Sequence, residues 1–291
     1  MFVASLISQP GMLDASLVDS LRNAWGGGAA DWLGIDEAAE FALGQVPDNR
    51  WKVWQDLQAM QVDLIVQPSQ NRCKKMLLAD MDSTMIQQEC IDELADEAGI
   101  GEHVKVITAR AMDGELDFEE ALLERVSGFK GQSTSIVERV LSERITFMPG
   151  GAVLLATMKS NGGYTALVSG GFTVFTEKVA DSLGFDEHHA NTLLIEEGLL
   201  TGKVGRPILG RQAKVDALET IASRLQIRAS DVIAVGDGAN DLGMLGRAGT
   251  GVALHAKPSV AAECDVRINF GDLTALLFLQ GYSRQQFVEL D

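Results

Sequence analysis

The chain has 291 residues, 46% hydrophobic and 22% charged, enough for about two domains with a sizeable buried core. Asp plus Glu number 41 against 24 Lys plus Arg, and the resulting net charge of −17 excludes nucleic acid and anionic membranes as partners. Three cysteines without metal-ligand spacing make no disulfide framework or zinc site, and no apolar run reaches the roughly 18 residues of a membrane span. The first residues also lack the basic start of an export signal, so the expected location is cytoplasmic.

Residues 1–72 read as a unit of their own. Phe2–Ser8 is a short apolar strand, and Leu13, Leu17 and Leu21 recur at helical spacing until Gly26-Gly27-Gly28 stops the helix. Two short strands, Asp31–Ile35 and Glu40–Leu43, precede a helix from about Arg50 to Met60. Val62–Val66 is a strand that Pro68 ends. The order βαββαβ predicts a ferredoxin-like α+β domain, and Gln67–Lys74 reads as a linker.

From Lys75 the pattern changes to buried strands alternating with helices. Met76–Ala79, Thr165–Val168, Val232–Val235, Thr250–Leu254 and Val266–Ile268 are near-continuous apolar runs, several with polar residues at their carboxyl ends. Residues 73–291 are therefore expected to form an α/β, Rossmann-like parallel sheet whose site lies along that edge. Between the first two strands, about residues 87–150 carry helical spacing: Ile91, Leu94 and Ala98 make one face, and Phe118, Leu122 and Arg125 another. This is too long for one crossover helix and predicts an inserted helical cap. Asn191–Val204, with Gly198 and Gly202, predicts a hairpin, and Leu273–Leu279 a packed terminal helix.

Chemistry concentrates at four places. In Leu77-Leu78-Ala79-Asp80-Met81-Asp82-Ser83-Thr84 an apolar strand ends in two carboxylates one residue apart. Such crowding of like charge calls for a cation or a proton between them. Asp80 suits nucleophilic attack on phosphorus and Asp82 proton transfer, although a single Asp-x-Asp is equally a turn with a capping Asp. Gly236-Asp237-Gly238-Ala239-Asn240-Asp241 follows another buried strand. Beside the first pair, Asp237 is a candidate Mg²⁺ ligand, Asp241 a further carboxylate acting directly or through water, and Asn240 an amide for substrate. Ser169-Gly170-Gly171-Phe172 offers a hydroxyl and free backbone N–H groups to a phosphate. Lys214, near the start of a helix with Val215, Leu218 and Leu225 on its buried side, opposes the helix dipole and so hints at another purpose. Cys90 reads as packing, and His188-His189 as surface residues lacking a third metal ligand.

Together the four motifs, in this order over about residues 75–270, resemble the haloacid dehalogenase-type phosphatases, and among them the phosphoserine phosphatases. The resemblance implies a Mg²⁺-dependent phosphomonoesterase that cleaves O-phospho-L-serine to L-serine and phosphate, the last step of serine synthesis. It implies phosphorylation of Asp80, acid–base work by Asp82, and Mg²⁺ held by Asp80, Asp237 and the Asp82 backbone carbonyl. Ser169, Gly170, Lys214 and Asn240 are implied to hold phosphate or substrate. A Glu nine residues after the nucleophile matches Glu89, implied to bind the substrate ammonium. An Arg in a cap helix beginning Phe-x-x-x-Leu matches Arg125, implied to bind its carboxylate. The same phosphoenzyme would serve a phosphatase for another small phosphomonoester, or transfer to an alcohol such as homoserine. A signalling receiver shares an acidic α/β site but needs neither Asp82 nor a cap, and a cation-pumping ATPase lacks its membrane spans here. Residues 1–72 resemble small-molecule-sensing ACT-like modules that bind an amino acid or mediate homodimerisation, the alternative being a packing appendage.

Overall fold

The structure, a computed structural model, describes residues 1–112 and 115–289. The expected cap region includes 113–114, which lie outside the described residues. Along the chain run β1 (Phe2–Ile7), α1 (Ala15–Ala24), β2 (Ala30–Gly34), β3 (Ala38–Leu43), α2 (Arg50–Gln58), β4 (Asp63–Pro68), β5 (Met76–Ala79), α3 (Cys90–Glu97), α4 (Gly101–Met112), α5 (Phe118–Ser127) and α6 (Ser135–Glu143). These are followed by α7 (Gly151–Ser160), β6 (Tyr164–Phe172), α8 (Thr173–Leu183), β7 (Glu187–Asn191), β8 (Leu193–Glu196), β9 (Leu199–Val204), α9 (Arg211–Arg224), β10 (Val232–Gly236), α10 (Leu242–Arg247), β11 (Thr250–Leu254), α11 (Pro258–Ala262), β12 (Val266–Ile268) and α12 (Ala275–Leu279).

The first four strands form an antiparallel sheet of order β2-β3-β1-β4. β1 lies at its centre, pairing with β3 from Phe2↔Leu43 to Ile7↔Ala38 and with β4 from Phe2↔Pro68 to Ile7↔Asp63. With two helices between the strands this is the ferredoxin-like arrangement that βαββαβ predicts. One detail differs: Leu13 precedes the first helix instead of opening it. Asp14 is the cap, accepting a hydrogen bond from the Ser16 N–H, so the helix buries Val18 and Leu21 while Leu13 packs from the lead-in. Gly27 after the helix is held to glycine, because a Cβ there would run into the Phe41 ring.

A six-stranded sheet has the order β12-β11-β10-β5-β6-β7, with β10–β11, β11–β12 and β6–β7 parallel. All residues of β5 and β10 are buried, which explains their unbroken apolar sequence. The order reverses on either side of β5. In an open α/β sheet that reversal opens a crevice beyond the strand's carboxyl end, and here that end is followed directly by Asp80.

The chain divides into two compact units. One comprises Met1–Leu78, Pro149–Thr165 and Leu218–Asp291; the other comprises Ala79–Met148 and Ala166–Ala217. Within the first, the antiparallel sheet is fastened by buried polar contacts. The Asp63 carboxylate, fully buried, accepts the backbone N–H groups of Asn269, Phe270 and Gly271 at 2.8, 3.0 and 2.9 Å. The Gln67 amide donates to the Leu279 carbonyl, and Arg72 forks onto Glu40 and the carbonyls of Phe278 and Leu279.

Within the second unit, α3 to α6 pack on one another around Leu94, Val104, Leu122, Val126 and Val140. The segments that lead into and out of these helices run side by side. Ile86 and Phe147 form an antiparallel bridge, the Met148 N–H donates to the Met85 carbonyl, and the Gln88 side chain both accepts from the Thr146 N–H and donates to its hydroxyl. β8 and β9 form the expected hairpin, turned by Glu197 and Gly198, both left-handed. Among the described residues no helix is long and apolar enough to cross a membrane.

Candidate active site

Asp80 leaves the buried strand β5 and is itself 5% exposed. Lys214 reaches it from α9, with Nζ 2.6 Å from Asp80 Oδ1, and is 2% exposed. A lysine this deeply buried stays charged only against a carboxylate, so the pair is an electrostatic commitment and not a surface contact. The helix buries Lys214, Leu218, Ile221 and Ala222 together; Val215 is only partly buried, and Leu225, expected on the same side, lies past the helix end.

Asp82 lies two residues on, held through both oxygens. Oδ1 accepts the Cys90 backbone N–H at 2.9 Å, and Oδ2 faces the Ser169 hydroxyl at 3.4 Å. Burial pushes the Asp82 carboxyl up to about 7 and the Glu89 charge adds to the rise, while hydrogen bonds from Cys90 and the charge of Lys214 oppose it. A carboxyl poised there both gives and takes a proton near neutral pH. Ser83 follows in the left-handed region at φ 53°. Its N–H donates to the Gln88 carbonyl at 3.2 Å, and its hydroxyl to Glu89 Oε1 at 2.8 Å, which places Glu89 at the N-terminus of α3.

Ser169, Gly170 and Gly171 fall where the pairing of β6 with β7 shifts register between Val168 and Phe172, which takes their backbone groups out of the regular ladder. Space is tight at both glycines. A Cβ on Gly171 would lie 3.0 Å from Asp82 Oδ2 and 3.1 Å from Ser169 Oγ, and one on Gly170 would lie 3.2 Å from the Phe118 ring. Phe118 thus covers the glycine loop, and it is 38% exposed where an apolar helix face was expected. The buried Asn191 side chain donates to the carbonyls of Gly170 and Leu209 and accepts the Leu209 N–H, joining the glycine loop to the segment that leads into α9.

Arg125 lies on α5, partly buried, with Nε donating to the Ala121 carbonyl at 3.2 Å. Burial lowers its pKa, against the neighbouring charges of Asp92 and Glu89. Glu89 and Arg125, implied as a substrate pair, therefore do share one electrostatic environment, together with an Asp92 that sequence reasoning passed over. Asp92 stands three residues after Glu89, on the same face of α3.

Asp237 directly follows β10, and Asp241 is fully buried, with Oδ2 accepting the Gly238 N–H at 3.0 Å. Asn240 packs against Gly238, where a Cβ would strike its amide. Asp80, Asp237 and Asp241 each present an oxygen, and the three oxygens lie within 4.8 Å of one another. Three carboxylates so close repel unless a cation sits among them, and a donor set of oxygens without His or Cys suits a hard divalent ion. The cluster fits a metal. Among the described residues the Asp82 side chain is not part of it.

The family model of haloacid dehalogenase-like hydrolases matches residues 77–246. A phosphoserine phosphatase of Vibrio cholerae is 45% identical over 198 residues, 68% of this chain, and the chain spans 60% of that relative's length. A HAD-family hydrolase from Salmonella enterica serovar Typhi superposes with a TM-score of 0.87 at 31% identity, covering 96% of this chain and 98% of its own. A solved phosphoserine phosphatase described as a phospho-aspartyl intermediate analogue superposes at 0.66 with 42% identity, covering 70% of this chain and 98% of its own. Carboxylates after two central strands, a glycine pair near the end of a third, a buried lysine and these relatives agree: the chain belongs to the haloacid dehalogenase-like hydrolases.

Proposed function

We propose that this chain hydrolyses O-phospho-L-serine to L-serine and phosphate through an aspartyl-phosphate on Asp80, the last step of serine synthesis, acting in the cytoplasm with Mg²⁺. The observation that carries this reading is the pairing of roles two residues apart. Asp80 is buried and ion-paired with Lys214, while Asp82 beside it has a carboxyl raised to about 7. One carboxylate bound to a buried cation and one raised by burial divide the work of nucleophile and acid. The relatives named phosphoserine phosphatase, and the analogue of a phospho-aspartyl state among them, support the same chemistry.

In the first half-reaction an Asp80 oxygen attacks phosphorus and the bond to the serine oxygen breaks as Asp82 gives that oxygen its proton. In the second, the Asp82 carboxylate takes a proton from water as the water attacks the phosphoryl group and releases Asp80. Ser169, the Gly170 N–H, Asn240 and Lys214 hold phosphoryl oxygens, and positioning of this kind is most of what phosphoryl transfer requires. Mg²⁺ bound by Asp80, Asp237 and the Asp82 carbonyl, with Asp241 as a further carboxylate, would neutralise charge on the transferred group. Glu89 takes the substrate ammonium and Arg125 its carboxylate. Residues 73–291, with the helices of about 87–150 as a cap, form the catalytic domain of this reading, and the ferredoxin-like residues 1–72 an ACT-like domain suited to homodimerisation.

The test is phosphate release from phosphoserine, phosphothreonine and an aryl phosphate, with Mg²⁺ and with chelator. Metal-dependent release with strong preference for phosphoserine is the expected result. Equal rates on all three would keep the phosphatase and overturn the substrate. No release would overturn hydrolysis in favour of transfer to an alcohol.

A further inference from the structure

The hairpin of β8 and β9 belongs to neither of the larger sheets, so its outward backbone groups need partners elsewhere. Along β9 they go to the loop between α5 and α6. The Gly131 N–H donates to the Leu200 carbonyl at 2.8 Å, the Leu200 N–H to the Gln132 carbonyl at 2.8 Å, and the Thr134 N–H to the Gly198 carbonyl at 3.0 Å. Ser133 and Leu199 form an antiparallel bridge between them. β9 then runs along α5 itself. Gly202 meets the end of that helix: a Cβ there would lie 2.9 Å from Lys130 Cβ and 3.1 Å from the Ser127 carbonyl oxygen, and its φ of +73° strains any other residue. Further on, Arg206 Nη2 reaches Glu119 Oε1 at 2.6 Å, and a Cβ on Gly210 would lie 3.2 Å from the Phe118 ring. The strand and its continuation therefore touch α5 at both ends. Arg125 sits between those contacts, two residues before Ser127.

We infer that this hairpin is a specificity-determining brace: it fixes where α5 lies, and so where the Arg125 guanidinium meets the substrate carboxylate, with Gly202 as the positioning residue. The inference rests on the reading of Arg125 as the carboxylate ligand. The atoms that crowd position 202 are backbone and a Cβ, which cannot rotate aside, so a side chain there displaces the end of α5. A charged hydrogen bond weakens steeply as its distance and angle depart from the optimum. The phosphoryl group is held elsewhere, by Ser169, Lys214 and the acidic cluster, none of which crowds Gly202. Displacement of α5 therefore weakens the binding of an ester that carries a carboxylate and spares one that does not. A smaller folded fraction would instead lower kcat on both esters and leave KM unchanged.

The experiment measures kcat and KM of the unaltered chain and of Gly202→Ala on phosphoserine and on phosphoethanolamine, which lacks the carboxylate. Gly202→Ala is expected to raise KM for phosphoserine about tenfold, the worth of one charged hydrogen bond, with kcat little changed, and to keep both constants for phosphoethanolamine within about twofold. In an Arg125→Ala background the same substitution is expected to change neither ester by more than about twofold, because the group it displaces is gone. An equal loss on both esters, an unchanged KM for phosphoserine, or a tenfold loss that persists without Arg125 overturns the inference. If Gly202→Ala does not fold, Thr134→Pro probes the same seam. Thr134 already has a φ of −59°, close to the angle proline imposes, so the substitution deletes the N–H that reaches Gly198. It is expected to raise KM for phosphoserine about threefold and to spare phosphoethanolamine, and equal effects or none overturn the inference. Arg125→Ala alone separates the carboxylate reading from the role of the hairpin. A loss there that is equal on both esters overturns both, whereas a selective loss there without one in Gly202→Ala or Thr134→Pro overturns the role of the hairpin alone.

Discussion

Arg125 illustrates how a side chain's neighbours decide its use. A snorkelling arginine would leave its guanidinium in water, but this one is partly buried beside Asp92 and Glu89, with Nε bound to its own helix. Arg125→Ala is expected to lower kcat/KM for phosphoserine by about 10- to 100-fold, the range of a charged hydrogen-bonded contact, and to change phosphoethanolamine, which has no carboxylate, far less. Equal losses on the two esters would refute the assignment. The motif residues Asp80, Asp82, Ser169, Lys214, Asp237 and Asp241 were legible because each breaks a local rule, a charge or a hydroxyl ending an apolar strand or a lysine early in a helix. Cys90, Asp92 and Asn191 break none. Their positions are ordinary for packing, a helix first turn and a strand end, and only the fold shows what their polar atoms meet.

Among the elements, α5 is the best defined at its start. Asp117 accepts the Glu120 N–H at 2.8 Å and the Glu120 side chain accepts the Asp117 N–H at 3.0 Å, a reciprocal cap just before Phe118. Asp117→Ala is expected to cost about 1 kcal/mol, read as a shift in the urea midpoint with an unchanged slope. The pattern of apolar residues was sufficient for all six strands of the parallel sheet except β7, whose residues Glu187–Asn191 include two histidines and no apolar run. It is an edge strand, and an edge needs less apolar sequence than a centre. Leu13 shows the converse error. Its spacing with Leu17 and Leu21 is helical, but Asp14 outcompetes it for the helix start because a carboxylate satisfies N–H groups that leucine cannot.

At the scale of the molecule, Asp63 ties a strand of the antiparallel sheet to the loop after β12. Burial raises its carboxyl from 3.8 to about 6, against the pull of three N–H donors and His255. The folded state therefore binds this proton more tightly than the unfolded chain. Its contribution to stability is complete below about pH 4 and is lost as pH rises through 6, a difference of about 3 kcal/mol. Asp63→Asn should flatten the dependence of the unfolding free energy on pH between 4 and 6 relative to the native chain; an unaltered slope would refute the shift. The paired linkers carry a different consequence. Because Ile86 and Phe147 face each other across one bridge, the inserted helices depart from the chain and rejoin it at a single point. Another bundle spliced between the same two linkers would have to supply again the N–H that Cys90 of α3 gives to Asp82, so this point of departure is also a point of dependence.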